Sequence, residues 1–135
     1  MGTQIHWIAI LVAAASGFVI GGIWYGPLFG KAWQAARGLS DDAMKNANMP
    51  MIFGLTFVLN LVAAFILDHT LATYPGLDFA TRVMIASGVA LGFIIPAIGV
   101  NYLFSRQSLK LFLIDSGYWL AIYTVMGVEF ALMVG

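Results

Sequence analysis

Four long apolar runs, separated by short polar segments, set the layout of this chain. They cover residues 5–26, 51–71, 83–104 and 109–134, and about 20 such residues cross the hydrocarbon core of a bilayer as a helix. Lipid offers no partners for backbone polar groups, so a spanning segment of this kind must be helical. We therefore predict a single all-α domain over residues 1–135, an integral membrane bundle of four transmembrane helices.

The polar segment between the first two runs predicts a further element. In residues 31–50, Gly38 is a helix stop and Ser40 is an N-cap, which together predict a short interfacial helix between helices one and two. Two prolines bear on the runs themselves. Pro27 should end the first helix, and Pro96 should kink the third.

Composition agrees with a membrane location and narrows the chemistry. Of the 135 residues, 61% are hydrophobic and only 9% are charged, whereas about 25% of the residues in a soluble domain are charged. Six basic and six acidic side chains cancel, which gives no reason to expect nucleic-acid binding. The chain has no cysteine, so disulfides, thiolate metal sites and cysteine nucleophiles are excluded.

The basic residues predict which way the bundle faces. Only Arg82 shares a side with both termini, and the others lie in or beside the first and third loops, namely Lys31, Arg37, Lys45, Arg106 and Lys110. Because Lys and Arg are enriched in cytoplasmic loops, we expect a bacterial inner-membrane protein with both termini outside. Residues 1–7 contain no Lys or Arg and apolar sequence resumes at Phe18, so we interpret the first run as a retained helix rather than a cleaved signal peptide.

Two segments of the chain resemble a known family. The first is "IGGIWYGPLFGKAW", where the matching positions are Trp24, Tyr25, Phe29, Lys31 and Trp33. The second is "LFSRQSLKLFLIDSGYWL", where they are Lys110, Asp115, Gly117 and Tyr118. Both resemble the bacterial membrane family catalogued as domain of unknown function 1761. The resemblance implies a membrane fold of about four spans and implies no activity, because none is assigned to that family.

Side chains near the cytoplasmic ends of the helices are candidates for binding or packing. The aromatic ones are Trp24, Tyr25, Trp33 and Tyr118. The first three are typical of headgroup anchors and the last, being deeper, of helix packing. Asp115 has two interpretations, which the sequence leaves open. It forms a structural ion pair or helix cap near Lys110, or it binds an anionic headgroup or substrate together with Lys31.

Four polar side chains fall at similar depth on the outer side: His6, Asp68, His69 and Glu129. Histidine and carboxylate ligands suit a transition metal, and such groups also relay protons. Interfacial hydrogen bonding is the alternative. Asp68 and His69 are adjacent, so they point about 100° apart on a helix. For Glu129 the natural partner is Arg82 or His6, and whether the set holds a metal stays open.

Glycines four residues apart predict tight helix contacts. The pairs are Gly17 with Gly21, Gly22 with Gly26, and Gly88 with Gly92. Small residues at this spacing let helix backbones approach closely in lipid. We expect the first and third helices to make close contacts, either within the subunit or across a dimer.

Three classes of function remain, and no soluble catalytic motif or cofactor signature favours an enzyme. The first is an accessory or structural subunit that packs with itself or with a larger membrane complex, with the lipid bilayer as its other partner. It is favoured because polar residues concentrate at the helix ends. The second is an oligomeric small-solute or proton-coupled transporter or channel. The third is a metal-binding or enzymatic site on the outer face.

Overall fold

The computed structural model describes residues 5–134, and within that range it is helical, with no strand. Four helices are long and apolar enough to cross a membrane: span 1 (Trp7–Leu28), span 2 (Met49–Ala72), span 3 (Phe79–Phe104) and span 4 (Leu109–Met133). The predicted all-α fold class is confirmed.

Side-chain caps fix where three of the spans begin. Asn48, Asp78 and Ser108 each accept a hydrogen bond from the backbone N–H three residues later, which satisfies one of the free donors of a helix N-terminus. Span 3 consequently starts at Phe79 rather than at residue 83. Its first turn contains Arg82, and a polar turn of this kind is invisible to a search for apolar runs.

Two short helices, rather than one, connect spans 1 and 2. The first is Gly30–Arg37, which ends at Gly38 in the left-handed conformation with φ +68°. The second is Asp41–Lys45, whose N-cap Ser40 accepts a hydrogen bond from the backbone of Ala43. The stop and the cap read from the sequence lie where expected. The additional helix before Gly38 packs against span 4.

Spans 1 and 3 each contain one π-helical turn close to a proline. In span 1 the turn is Trp24–Leu28 and includes Pro27. In span 3 it is Ala90–Ile94, shortly before Pro96. Proline lacks an N–H and crowds the carbonyl four residues back, and a wider turn accommodates both defects. Span 1 ends at Leu28, one residue after Pro27, so the helix ends where the proline was expected to stop it, but through a π-turn that was not expected.

Span 4 lies at the centre of the bundle. It packs against span 1 on one side and span 3 on the other, while span 2 packs against the far side of span 1. Half of the most apolar 18-residue window of span 4 is buried, against 11% for span 3. The fully buried side chains of span 4 include Ile122, Met126 and Phe130. The spatial order 2–1–4–3 thus makes spans 2 and 3 the edges of the bundle.

The outward-facing surface of the spans is apolar. Ile8, Phe93 and Leu103 are each more than 70% exposed, and similar side chains occur on all four spans. Soluble monomers rarely expose apolar area on this scale. This surface, together with the length of the helices, supports a membrane protein.

Candidate functional site at Asp115

A buried carboxylate on span 4 is the centre of the most polar contact inside the bundle. Asp115 is 6% exposed and lies six residues after Leu109, or about 9 Å along the helix. The Tyr25 hydroxyl of span 1 donates to its Oδ1 at 2.5 Å, and the Tyr102 hydroxyl of span 3 donates to its Oδ2. Three spans therefore meet at one acidic group, and both phenol donors stabilise its negative charge.

The π-turn of span 1 aims two side chains at this part of span 4. Tyr25 reaches Asp115, and the neighbouring Trp24 donates from its indole Nε1 to the Ile114 carbonyl at 2.9 Å. Two glycines make room for this geometry. A Cβ on Gly117 would lie 2.8 Å from the Trp24 ring, and a Cβ on Gly30 would lie 2.5 Å from the Tyr25 carbonyl oxygen.

Basic side chains do not neutralise Asp115. Within residues 5–134, the structure has one ion pair, and it lies at the other end of the bundle. Lys31 and Lys110 are both exposed. The ion pair considered from the sequence is therefore not formed, and the two tyrosine hydroxyls take the place of a cation. The hydroxyl of Tyr118 lies beside Gly21, and its ring centroid is 5.1 Å from that of Tyr25.

Asp115 forms part of the lining of a pocket of about 380 Å³. We call this the Asp115 pocket, and it is lined by Trp33, Arg37, Tyr102, Ser105, Gln107, Leu111 and Asp115. The short helix Gly30–Arg37 supplies Trp33 and Arg37, and the connection between spans 3 and 4 supplies Ser105 and Gln107. The pocket thus lies at the end of the bundle that carries the loops 29–48 and 105–108, which we call the basic end.

At the opposite end, the four polar candidates separate. The His6 Nδ1 lies 2.7 Å from the Asp68 Oδ1, and the His6 backbone N–H donates to the Asp68 Oδ2 at 3.3 Å. Asp68 therefore caps span 1 from span 2, while His69 beside it is exposed. Glu129 accepts a hydrogen bond from the Ser16 hydroxyl.

The structure therefore does not bring these four residues together in one place. Glu129 pairs with Ser16 and not with the two expected partners, one of which, Arg82, donates from its Nε to the Leu77 carbonyl. No group of three His, Cys, Asp or Glu side chains converges as metal ligands in the part of the chain that the structure describes.

The glycines expected to pack divide into two sets. Gly17 lies against Asn60 and Met126, and Gly21 lies against Tyr118. The other four have open space where a Cβ would lie, namely Gly22, Gly26, Gly88 and Gly92.

The tightest interhelical glycine was not among those singled out. A Cβ on Gly127 would lie 2.7 Å from the Ala86 Cβ, where spans 3 and 4 meet. Gly127 therefore allows close contact between these spans, and Gly99 of span 3 also lies against Phe112 of span 4. The glycine pair of span 3 faces outward instead.

Sequence reasoning missed five of the seven residues that line the Asp115 pocket, including Tyr102 and Arg37. Tyr102 reads as one more interfacial aromatic and Arg37 as one more loop cation. One signal points to Tyr102, which is the only tyrosine in the third run and lies close to a turn that brings spans 3 and 4 together. For Arg37, the sequence carries no comparable signal.

The fold and the site define a small α-helical protein of the membrane type, with an unneutralised acid buried among its spans. The chain belongs to the family described as "Protein of unknown function (DUF1761)", whose model matches residues 8–130. No curated protein and no solved structure matches the chain.

Proposed function

We propose that the protein is a small solute carrier whose binding site is the Asp115 pocket. The observation that supports this function best is the buried carboxylate itself, which has two phenol donors and, among the described residues, no Lys or Arg within ion-pairing distance. A charge placed within a membrane span is costly. An ionisable side chain in such a place is a functional candidate by default, and this supports a ligand for Asp115.

The coordination of Asp115 leaves room for that ligand. A carboxylate has two oxygens with about four acceptor positions, and Tyr25 and Tyr102 occupy one position on each oxygen. Further donors can therefore bind to the same oxygens from the pocket side. An ammonium group carries three N–H donors and a compensating charge, which suits such a site.

Polar atoms deeper in the bundle support a carrier rather than a one-sided binding protein. Among the described residues, three buried polar atoms have no hydrogen-bond partner: the Asn60 Nδ2, the Ser116 Oγ and the Glu129 Oε1. Orphaned groups of this kind in a core call for an explanation such as a bound polar molecule. Ser116 follows Asp115 directly, Asn60 lies beside Gly17 of span 1, and Glu129 lies close to the other end of span 4, so the three atoms lie at different depths of the bundle.

The basic end is the side from which the solute enters in this proposal. With five Lys and Arg residues in or beside its loops against Arg82 at the other end, the positive-inside rule favours a cytoplasmic basic end in a bacterial inner membrane. Cysteine substitutions at Lys45, the last residue of the short helix Asp41–Lys45, and at Tyr74, between spans 2 and 3, test the orientation, since both positions are exposed. A membrane-impermeant thiol reagent added to intact cells should label position 74 and spare position 45, and the reverse pattern would contradict it.

Carbodiimide labelling tests the proposed site. A water-soluble carbodiimide with glycine ethyl ester should convert Asp115 to an amide in liposomes, as read by peptide mass spectrometry, and trimethylammonium, which cannot itself form an amide, should slow the reaction. Exposed Asp78 is the matched control, since its labelling should not respond to trimethylammonium. Labelling of Asp115 only by the membrane-soluble dicyclohexylcarbodiimide, or no labelling at all, would show that the carboxylate is not a solute site.

A second candidate is the accessory or self-associating subunit. Gly88 and Gly92 favour it, because they lie on the outward face of the edge span with no contact inside the subunit, and such pairs pack helices in lipid. Gly92→Leu should then convert an oligomer to a monomer on blue-native gels. Gly54→Leu, at a lone open glycine of span 2, is the control and should leave the oligomer intact. A wild-type monomer in mild detergent would speak against this function.

A further inference from the structure

The Asp115 pocket contains two opposite charges that do not touch each other. Arg37 and Asp115 both line it, yet no ion pair joins them at 4.0 Å or less. Asp115 is 6% exposed, whereas Arg37 is an exposed residue. The negative charge therefore lies at the inner end of the pocket and the positive charge at its mouth.

The fold holds this separation in place. Arg37 is the last residue of the short helix Gly30–Arg37, and Trp33 lies one turn before it on the same face. Trp33 contacts Tyr25 with ring centroids 6.0 Å apart, which ties the short helix to the tyrosine that bonds Asp115. The guanidinium is thus carried by an element anchored to the same site.

We propose that the solute is a small zwitterion that enters with its ammonium group first. The ammonium binds Asp115 beside the ring of Tyr102, and the anionic group of the same molecule binds Arg37 at the mouth. This inference rests on the proposed function and names its substrate class. A pocket of about 380 Å³ is at the small end of ligand sites, which fits a molecule the size of an amino acid.

Electrostatics favour a zwitterion over a singly charged solute. A simple cation must pass Arg37, and a simple anion meets the Asp115 carboxylate, so each encounters a like charge. A zwitterion satisfies both groups at once. Because the two protein charges do not touch each other, the solute must carry its two charges on separate groups of the same molecule.

A lipid headgroup is a poorer occupant for this arrangement. In a zwitterionic lipid, the amine is the part farthest from the acyl chains. An ammonium directed inwards to Asp115 would therefore turn the chains towards water. A solute arriving from water at the basic end has no such constraint.

Ligand binding to the purified full chain in detergent tests the charge requirement. The probes are glycine, β-alanine, 4-aminobutyrate and 6-aminohexanoate, compared with n-butylammonium and n-butyrate, and binding is read from tryptophan fluorescence and by calorimetry. We expect at least one of the longer zwitterions to bind about tenfold or more tightly than either singly charged compound.

Two variants test which protein side chain binds each charged group of the solute. Asp115→Asn should abolish zwitterion binding. Arg37→Gln lies at an exposed position, where folding is not at risk. It should remove the preference for zwitterions, so that n-butylammonium and the zwitterions bind with equal affinity. Lys31→Gln is the matched control, because it removes a positive charge from the same helix outside the pocket lining, and its preference should equal that of the wild type.

The outcomes separate this inference from the proposed function. Equal binding of n-butylammonium and the zwitterions to the wild type would overturn the inference. So would the absence of binding by every zwitterion while Asp115 still reacts with the water-soluble carbodiimide, and in both cases the proposed site would stand. Failure of the carbodiimide reaction would instead overturn the proposed function itself.

Discussion

Removing the hydroxyls of Tyr25 and Tyr102 should reverse the effect that Asp115→Asn has on the free energy of unfolding. Tyr25 and Tyr102 are the donors that the structure assigns to this carboxylate. In soluble proteins a hydrogen bond to a charged group contributes about 1.5–3 kcal/mol, whereas interhelical hydrogen bonds in membranes average roughly 0.6 kcal/mol with a maximum near 1.7. A short charge-assisted bond belongs at the upper membrane value, so Tyr25→Phe and Tyr102→Phe should each cost about 1–2 kcal/mol.

The double variant leaves the carboxylate buried without either donor, so it should cost more than the sum of the two single variants. In the wild type, Asp115→Asn should lower the free energy of unfolding, since both hydroxyls lose a charged acceptor. In the double-Phe background the same change removes an unsatisfied charge and should raise stability. The sign of the Asp115→Asn effect is therefore predicted to invert between the two backgrounds.

Reversible unfolding in mixed micelles, followed by tryptophan fluorescence, measures these differences. Tyr74→Phe, at an exposed tyrosine in the connection between spans 2 and 3, should change stability by a few tenths of a kcal/mol at most. Phe keeps the ring at each position, so ring contacts such as that between Tyr25 and Tyr118 are retained. An equal cost of Asp115→Asn in both backgrounds would refute the idea that the tyrosines hold the charge.

Three further predictions follow from contacts elsewhere in the bundle. Gly127→Ala should destabilise by about 1–3 kcal/mol because its Cβ would overpack the contact with span 3, whereas Gly92→Ala, in open space, should be neutral or stabilise by up to about 1 kcal/mol in thermal unfolding. Asp68→Asn should accelerate hydrogen exchange in the first turn of span 1, because it weakens the charged cap there; unchanged exchange would contradict that role. Hydrogen bonds from the Thr81 side chain and backbone lower the pKa of Asp78 below its ordinary value, so this cap should be fully present above that ordinary value and lost as the pH falls through the depressed one. An NMR titration of Asp78 that moves upward in Thr81→Ala would support this, and an unmoved titration would not.

Hydropathy predicted the fold because the constraint that creates it is local. Each apolar run must satisfy its own backbone hydrogen bonds in lipid, so length and composition are enough to locate four helices. Gly38 and Ser40 were identified for the same reason, since a stop and a cap act within one turn. Pro27 follows the same local logic, since span 1 ends one residue after it, but the sequence alone does not predict the π-turn in which the proline lies.

The site was only half predictable because it depends on contacts between distant residues. Asp115 and Tyr25 drew attention through a resemblance and through their position, yet their contact spans 90 residues of sequence. It also requires the π-turn to aim the tyrosine. Tyr102 and Arg37 carry no mark of their own, and only the folding of span 3 and of the short helix onto span 4 brings them to the pocket.

The outer candidates show why depth alone does not define a site. Asp68 and Glu129 lie near the same end, but they face different partners. Asp68 faces the start of span 1, and Glu129 faces Ser16, which lies nine residues after Trp7, or about two and a half turns further along that span. The partner that a residue faces depends on which helices pack side by side, and the apolar runs do not encode that order.

Isotope-edited infrared difference spectroscopy of Asp115 tests the central claim most directly. A carboxylate band that is present in the wild type and missing from Asp115→Asn reports the state of this one group. We predict that adding methylammonium or 4-aminobutyrate shifts that band, because an ammonium group joins the Tyr25 and Tyr102 hydroxyls on its oxygens. A band that stays unchanged with both solutes would contradict the claim that Asp115 is the ligand of a solute site.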